Sequence, residues 1–182
     1  MLIKFNEKEY SKEVRKKKFK GVKVHTFFVY DGFDLDPFPP QNKPWFDTGK
    51  TKNGFKVYQL KDTIDFILPN WEVVRVPKGF EWDGASIPKF AQWIIGKPIG
   101  KYALAALLHD WLYRSQLLGK TKKGRKKSDE LFLLVMDQLD VTWWRRKSMY
   151  SSVRIGGGSA YFDSSEVEKF YILMKDDFYN PF

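Results

Sequence analysis

Apolar and polar positions alternate first at residues 22–30, VKVHTFFVY, where Val22, Val24, Thr26, Phe28 and Tyr30 share one strand face and Lys23, His25, Phe27 and Val29 the other. Both faces carry apolar residues, so a strand buried on two sides is expected. FKVYQLKD (55–62), TIDFIL (63–68) and WEVVRVP (71–77) read as further short strands, with Pro69-Asn70 as a turn. Together they predict a small antiparallel sheet in the N-terminal half. Residues 31–54 hold four prolines and read as one long irregular loop, and residues 1–20 as a basic N-terminal segment.

Beyond Pro77 the period changes from two to that of a helix. Ser86 is placed to cap a short helix burying Phe90, Trp93 and Ile94, which Gly96 and Pro98 stop. Residues 101–117 repeat apolar side chains at Leu104, Leu107, Leu108, Trp111 and Leu112, one helical face. After a basic loop, a third helix over 127–139 packs with Leu131, Phe132, Val135, Met136 and Leu139, and a fourth over 142–155 ends at Gly156-Gly157-Gly158, read as a terminator and hinge. Residues 159–182 read as an appended C-terminal tail with a short helix at 164–175. The fold class expected is α+β in a single domain, 1–182: the sheet packed with an antiparallel helical hairpin and one or two further helices.

Charge adds a candidate partner. The chain carries a formal charge of +10, and two runs, RKKKFK at 15–20 and KTKKGRKK at 120–127, hold much of the excess. Arg15, Lys16, Lys17, Lys18, Lys122, Lys123, Arg125, Lys126 and Lys127 are therefore candidates for binding a polyanion, either nucleic acid or an anionic membrane. The plainer alternative is a solvated loop. With no cysteine, disulfides, thiolate metal sites and cysteine nucleophiles are excluded. Neither a signal peptide nor a membrane-spanning run is visible, and a soluble protein is expected. No P-loop or dinucleotide fingerprint occurs.

Candidate chemistry centres on LLHDWLYRSQ, residues 107–116, which hold His109, one of only two histidines. Asp129 lies in line with Phe132, Leu133 and Met136, which turns an acid towards the core of the hairpin. With helix axes about 8–10 Å apart, its carboxylate reaches the imidazole. A histidine so held through Nδ1–H would act as a general base, with Tyr113 one turn away. The alternative is a structural His–Asp bond. Asp110 points about 100° away and is free to hold a cation or to pair with Arg114. Asp83, placed by an Asp-Gly turn, is a second candidate for metal binding or for a hydrogen-bond network. Ser86 is a possible nucleophile, although its capping role suffices and no Gly-x-Ser-x-Gly elbow surrounds it. One histidine with scattered acids suits calcium or another divalent cation better than zinc.

Two resemblances attach to these residues. VPKGFEWDGASIPKF (76–90), AALLHDWLYRS (105–115), KSDELF and RRKSMYSSVR, in that order over residues 60–155, resemble a family of small phage and prophage proteins of unknown function. This implies a virion- or tail-associated protein, located in the virion or the host cytoplasm, with other virion proteins as partners. The helix pair also resembles secreted and viral phospholipases of the A-two class, whose His-Asp-x-x-Tyr run is matched by His109, Asp110 and Tyr113 and whose histidine-holding acid is matched by Asp129. That resemblance implies a histidine activating water and an adjacent aspartate binding calcium. The glycine-rich calcium loop and the cysteines of that class are absent here, with GKPIG standing at 96–100. Three readings follow: a hydrolase, a non-catalytic virion or assembly protein, and a nucleic-acid-binding protein.

Overall fold

A computed structural model of the chain describes residues 3–4, 24–28, 43–52, 54–68, 72–83 and 102–163; for 3–4, 24–28 and Glu72 the description is of the backbone. The predicted short helix near Ser86, the 164–175 helix, GKPIG and Arg15–Lys18 lie outside the described residues.

Among the described residues, seven strands form two small sheets beside four helices, an α+β arrangement. The first sheet has the order β1 (Ile3–Lys4), β6 (Glu72–Val76), β5 (Thr63–Ile67), β2 (Val24–Phe28). Its β5–β6 and β6–β1 pairs are antiparallel, but β2 runs parallel to β5, from Val24 opposite Thr63 to Phe28 opposite Ile67. The second sheet orders β3 (Trp45–Lys52), β4 (Phe55–Leu60) and β7 (Glu81–Trp82), all antiparallel. The antiparallel sheet expected in the N-terminal half is present as two small sheets, to which β2 adds one parallel pair, while the wholly irregular 31–54 loop is corrected by the strand at Trp45–Lys52. Residues 45–52 form the edge strand β3, whose exposed polar positions hid its character, because its register is set by β4 and not by burial.

β5 is buried at every position although it carries an acid. Asp65 faces Arg75 across the β5–β6 pair, and the guanidinium meets both carboxylate oxygens, Nε to Oδ1 at 2.7 Å and NH2 to Oδ2 at 2.8 Å. A bidentate pair satisfies a charge that the interior otherwise penalises.

The helices are α1 (Ala103–Ser115), α2 (Lys122–Gln138), α3 (Trp143–Gly156) and α4 (Gly158–Phe162). The pattern over 101–117 suggested one buried face. In the fold, every α1 residue is buried except Asp110 and Arg114, because the sheets close one side and α2 the other. Phe80 meets Trp111 edge to face at 5.1 Å, and Trp82 packs on Trp45 and Tyr58 at the end of the second sheet.

α2 begins five residues earlier than the apolar period indicates. Thr121 caps it, its hydroxyl accepting from the Gly124 amide at 3.0 Å. Most of the second basic run is therefore the first turns of a helix rather than a loop. The supposed tail also begins inside the fold: Tyr161 of α4 is fully buried, donates to the Gly119 carbonyl at 2.6 Å and, through its own carbonyl, accepts from the Gln116 side chain at 2.8 Å.

A candidate histidine–aspartate site between three helices

The site exists because the α1–α2 turn brings two helices antiparallel and α3 returns along α2. Gln116, in the left-handed region at φ 51°, and Gly119, at φ 87°, turn the chain within six residues. His109 and Tyr113 are one turn apart on α1, and Asp129 faces both from α2.

His109 Nε2 lies 2.8 Å from Asp129 Oδ1, and the Tyr113 hydroxyl donates to the same oxygen at 2.6 Å. The other oxygen, Oδ2, accepts from Arg154 NH1 of α3 at 2.7 Å. Asp129 is fully enclosed, at 0% exposure, and His109 keeps 7%. The imidazole packs between the rings of Tyr113, at 4.1 Å, and Phe132, at 4.7 Å. The predicted partner is correct but the ring nitrogen is not: Nε2 holds the carboxylate, and among the described residues Nδ1 has no hydrogen-bond partner. A ring fixed by its Nε2 bond to the acid places the lone pair of the neutral imidazole on Nδ1.

Burial disfavours the imidazolium and holds the His109 pKa below its ordinary value, although the bond to Asp129 opposes the shift. Burial alone would raise Asp129; the bonds from His109, Tyr113 and Arg154 together outweigh it and keep the carboxylate below its ordinary range. Tyr113 is pushed upwards, first by burial and then by its bond to the ionised Asp129. The three groups thus settle as a neutral histidine, an ionised acid and a protonated phenol.

Arg125 was expected to face a polyanion. Instead it turns inward: NH2 donates to the Val153 and Arg154 carbonyls at 2.9 and 2.6 Å, and Nε approaches the Tyr113 hydroxyl at 3.4 Å. A guanidinium there closes the free carbonyls at the α3 C-terminus and complements its dipole. Lys122, Lys123, Lys126 and Lys127 remain exposed on α2, Lys126 within 3.6 Å of Glu130.

Arg154, Arg125, Gly157 and Tyr161 were not singled out from the sequence. One signal for Arg154 was available: a buried carboxylate has acceptor capacity for several donors, more than one histidine supplies. Gly157 shows no such signal. A Cβ there would come within 2.6 Å of the Val153 carbonyl and 2.8 Å of the Tyr113 hydroxyl, whereas one at Gly156 would meet nothing within 4 Å. Only the middle glycine of the three is needed for close approach to the site.

Asp110, the next residue of α1, projects about 100° around the helix from His109. It is hydrogen-bonded to Asp83, and burial together with that second carboxylate raises its pKa well above the ordinary value, against the pull of Arg114 and Lys52. The two carboxyls thus meet as the sequence suggested, and the charge of Asp83 disfavours ionisation of Asp110. Arg114 adds a bond to the Glu81 carbonyl at 2.5 Å and stacks over Phe80 at 5.0 Å. Two carboxylates supply hard oxygen donors for a divalent cation. Among the described residues no third acid or histidine joins them to complete a cluster. Ser86, the candidate nucleophile, lies outside the described residues.

No helix among the described residues is long and apolar enough to cross a membrane. Neither the curated proteins nor the solved structures yielded a match to this chain. A family described as "Protein of unknown function (DUF1353)" matches residues 58–153, from β4 to the last turn of α3 and including His109, Tyr113, Asp110 and Asp129. Since that span is more than half of the chain, the protein belongs to the DUF1353 family.

Proposed function

We propose that this chain is a bacteriophage-type, virion- or tail-associated protein whose His109–Asp129 pair hydrolyses an ester, with phospholipid as the substrate class. The phage assignment is supported by the ordered motifs at 76–90 and 105–115. The hydrolytic assignment is carried by one observation: Asp129 engages Nε2 and leaves Nδ1 without a partner among the described residues.

In this reading neutral His109 accepts a proton from water at Nδ1 as the water oxygen attacks the ester carbonyl. Asp129 holds the Nε2–H and stabilises the imidazolium as it forms. Tyr113 and Arg154 keep Asp129 ionised and in place. The imidazolium then returns its proton to the departing alkoxide. A divalent cation held by Asp110 and Asp83, calcium first, would polarise the carbonyl.

The experiment is fatty-acid release from phosphatidylglycerol vesicles with calcium present. Wild type should release product, and His109→Asn should lose at least 100-fold while unfolding at nearly the same denaturant concentration. No release by wild type, or equal release by the variant, overturns the assignment.

A second reading, a non-catalytic assembly protein, is favoured by the enclosure of Asp129, whose donors come from α1 and α3 and tie three helices together. It predicts that His109→Asn costs several kcal/mol of stability, as breaking a buried charge network does, with no hydrolysis in either protein.

A further inference from the structure

α3 is at odds with what folding alone asks of it. Of its residues only Met149 is buried. Its first turn exposes two tryptophans, Trp143 at 64% and Trp144 at 45%, and its last turn exposes Ile155 at 87%. Trp144 and Ile155 are eleven residues apart, close to three full turns, so they share one side of the helix, with Ser148 and Ser151 between them. Isolated exposed apolar residues are ordinary, but two adjacent exposed tryptophans, one of them in line with Ile155, form a patch.

Within α3 itself every charge is basic, although Asp137 of α2 pairs with Arg146. Arg145 lies over the Trp144 ring at 5.1 Å and Lys147 over Trp143 at 5.5 Å. Both cations are exposed, and both stand near the positive end of the helix dipole, where cations are unfavourable. No acid occurs between Val141 and Phe162. Arg125 binds the carbonyls of Val153 and Arg154, which sets the lysine-bearing first turns of α2 beside the Ile155 end. Tryptophan prefers the headgroup level of a bilayer, and lysine and arginine beside it are attracted by anionic headgroups.

We infer that the exposed side of α3, with Trp143, Trp144 and Ile155 flanked by Arg145 and Lys147, is a peripheral docking surface for an anionic phospholipid bilayer. The helix lies in the plane of the interface, seating its aromatics among the headgroups while its cations meet lipid phosphates. Basic residues beside exposed aromatics also suit single-stranded nucleic acid, but the exposed aliphatic Ile155 in line with Trp144 has no use in base stacking and fits a lipid interface, which takes up aliphatic and indole side chains together. Docking does not require hydrolysis and stands apart from the function proposed above.

The test is co-sedimentation of the full chain, as wild type and as His109→Asn, with vesicles of phosphatidylcholine alone or with 40% phosphatidylglycerol at ~0.15 M salt. Both proteins should bind the anionic vesicles at least tenfold more tightly than the neutral ones. Trp143→Ala/Trp144→Ala should lose at least tenfold without a change in circular dichroism or melting temperature, both side chains being exposed. Arg145→Gln/Lys147→Gln should lose affinity for anionic vesicles only. Absence of binding, or binding unaffected by either double variant, overturns the proposal. So does a fluorescent oligonucleotide bound more tightly than the vesicles with the same residues required, or a dimer that the tryptophan variant abolishes. Absence of hydrolysis by wild type, with vesicle binding intact, would overturn the function proposed above and leave this surface standing.

Discussion

The Tyr113 hydroxyl donates to Asp129 Oδ1 at 2.6 Å, on the same oxygen that faces His109 Nε2 at 2.8 Å. Two side chains one turn apart on α1 thus converge on one carboxylate of α2. Tyr113→Phe removes one donor and leaves the ring packing. Stability should fall by about 1–2 kcal/mol, as for a lost hydrogen bond to a buried charged group, and hydrolysis by less than tenfold. Urea unfolding and initial rates measure both; a loss of hydrolysis as large as that of His109→Asn would give the phenol a role of its own.

Arg154 joins the same carboxylate from α3 at 2.7 Å. Arg154→Met leaves Oδ2 enclosed without its cation, which should cost about 2 kcal/mol, less than for a fully buried pair because the guanidinium is partly exposed. Arg154→Lys restores the charge but reaches less far, and should recover only part of the loss. Equal stability of all three proteins in chemical denaturation would show that the α2–α3 contact does not depend on this ion pair.

Acid should weaken the fold through His109. Its folded pKa lies below the ordinary 6.5, so below pH 6.5 the unfolded chain takes up a proton that the folded chain refuses. Its contribution is fully present above that pH and is lost as pH falls towards the folded value. Between pH 7.5 and 5.5 wild type should therefore lose more stability than His109→Asn. The acid limb of kcat/KM should correspondingly lie below 6.5; a limb above it would mean that the imidazole is not held neutral.

Asp110 acts with the opposite sign. Its folded pKa is raised above 3.8, so its contribution is present below that pH and is lost as pH rises through the folded value. As pH falls from the folded pKa towards 3.8, wild type should therefore gain stability relative to Asp110→Asn. Calcium, if held by Asp110 and Asp83, should raise the melting temperature of wild type at neutral pH and leave Asp110→Asn unchanged. An equal rise in both would place the cation elsewhere.

Two glycines give opposite outcomes to a rule of helix propensity. Gly→Ala inside a helix normally adds stability of about 1 kcal/mol. Gly156→Ala, with open space around its Cβ, should be neutral or mildly stabilising. Gly157→Ala, pressed on Tyr113 and Val153, should cost about 1–3 kcal/mol and disturb hydrolysis with it. Thermal melts of the two variants side by side decide this.

Periodicity in the sequence determined the α+β class, the α1–α2 hairpin and the pairing of His109 with Asp129, because a 3.6-residue repeat and a short connection leave few places for an acid turned inward. It placed Asp83 near Asp110 for the same local reason, an Asp-Gly turn ahead of the helix. The tertiary structure decided what lay far along the chain: that β3 is a strand, since only its pairing with β4 defines it, and that Arg154 and Arg125 face inward, since their partners are carbonyls and a carboxylate 25 to 29 residues distant. It also decided which nitrogen of His109 is bound. Sequence spacing places a side chain on a face, whereas the ring rotation that sends Nε2 and not Nδ1 to Asp129 is set by packing between Tyr113 and Phe132.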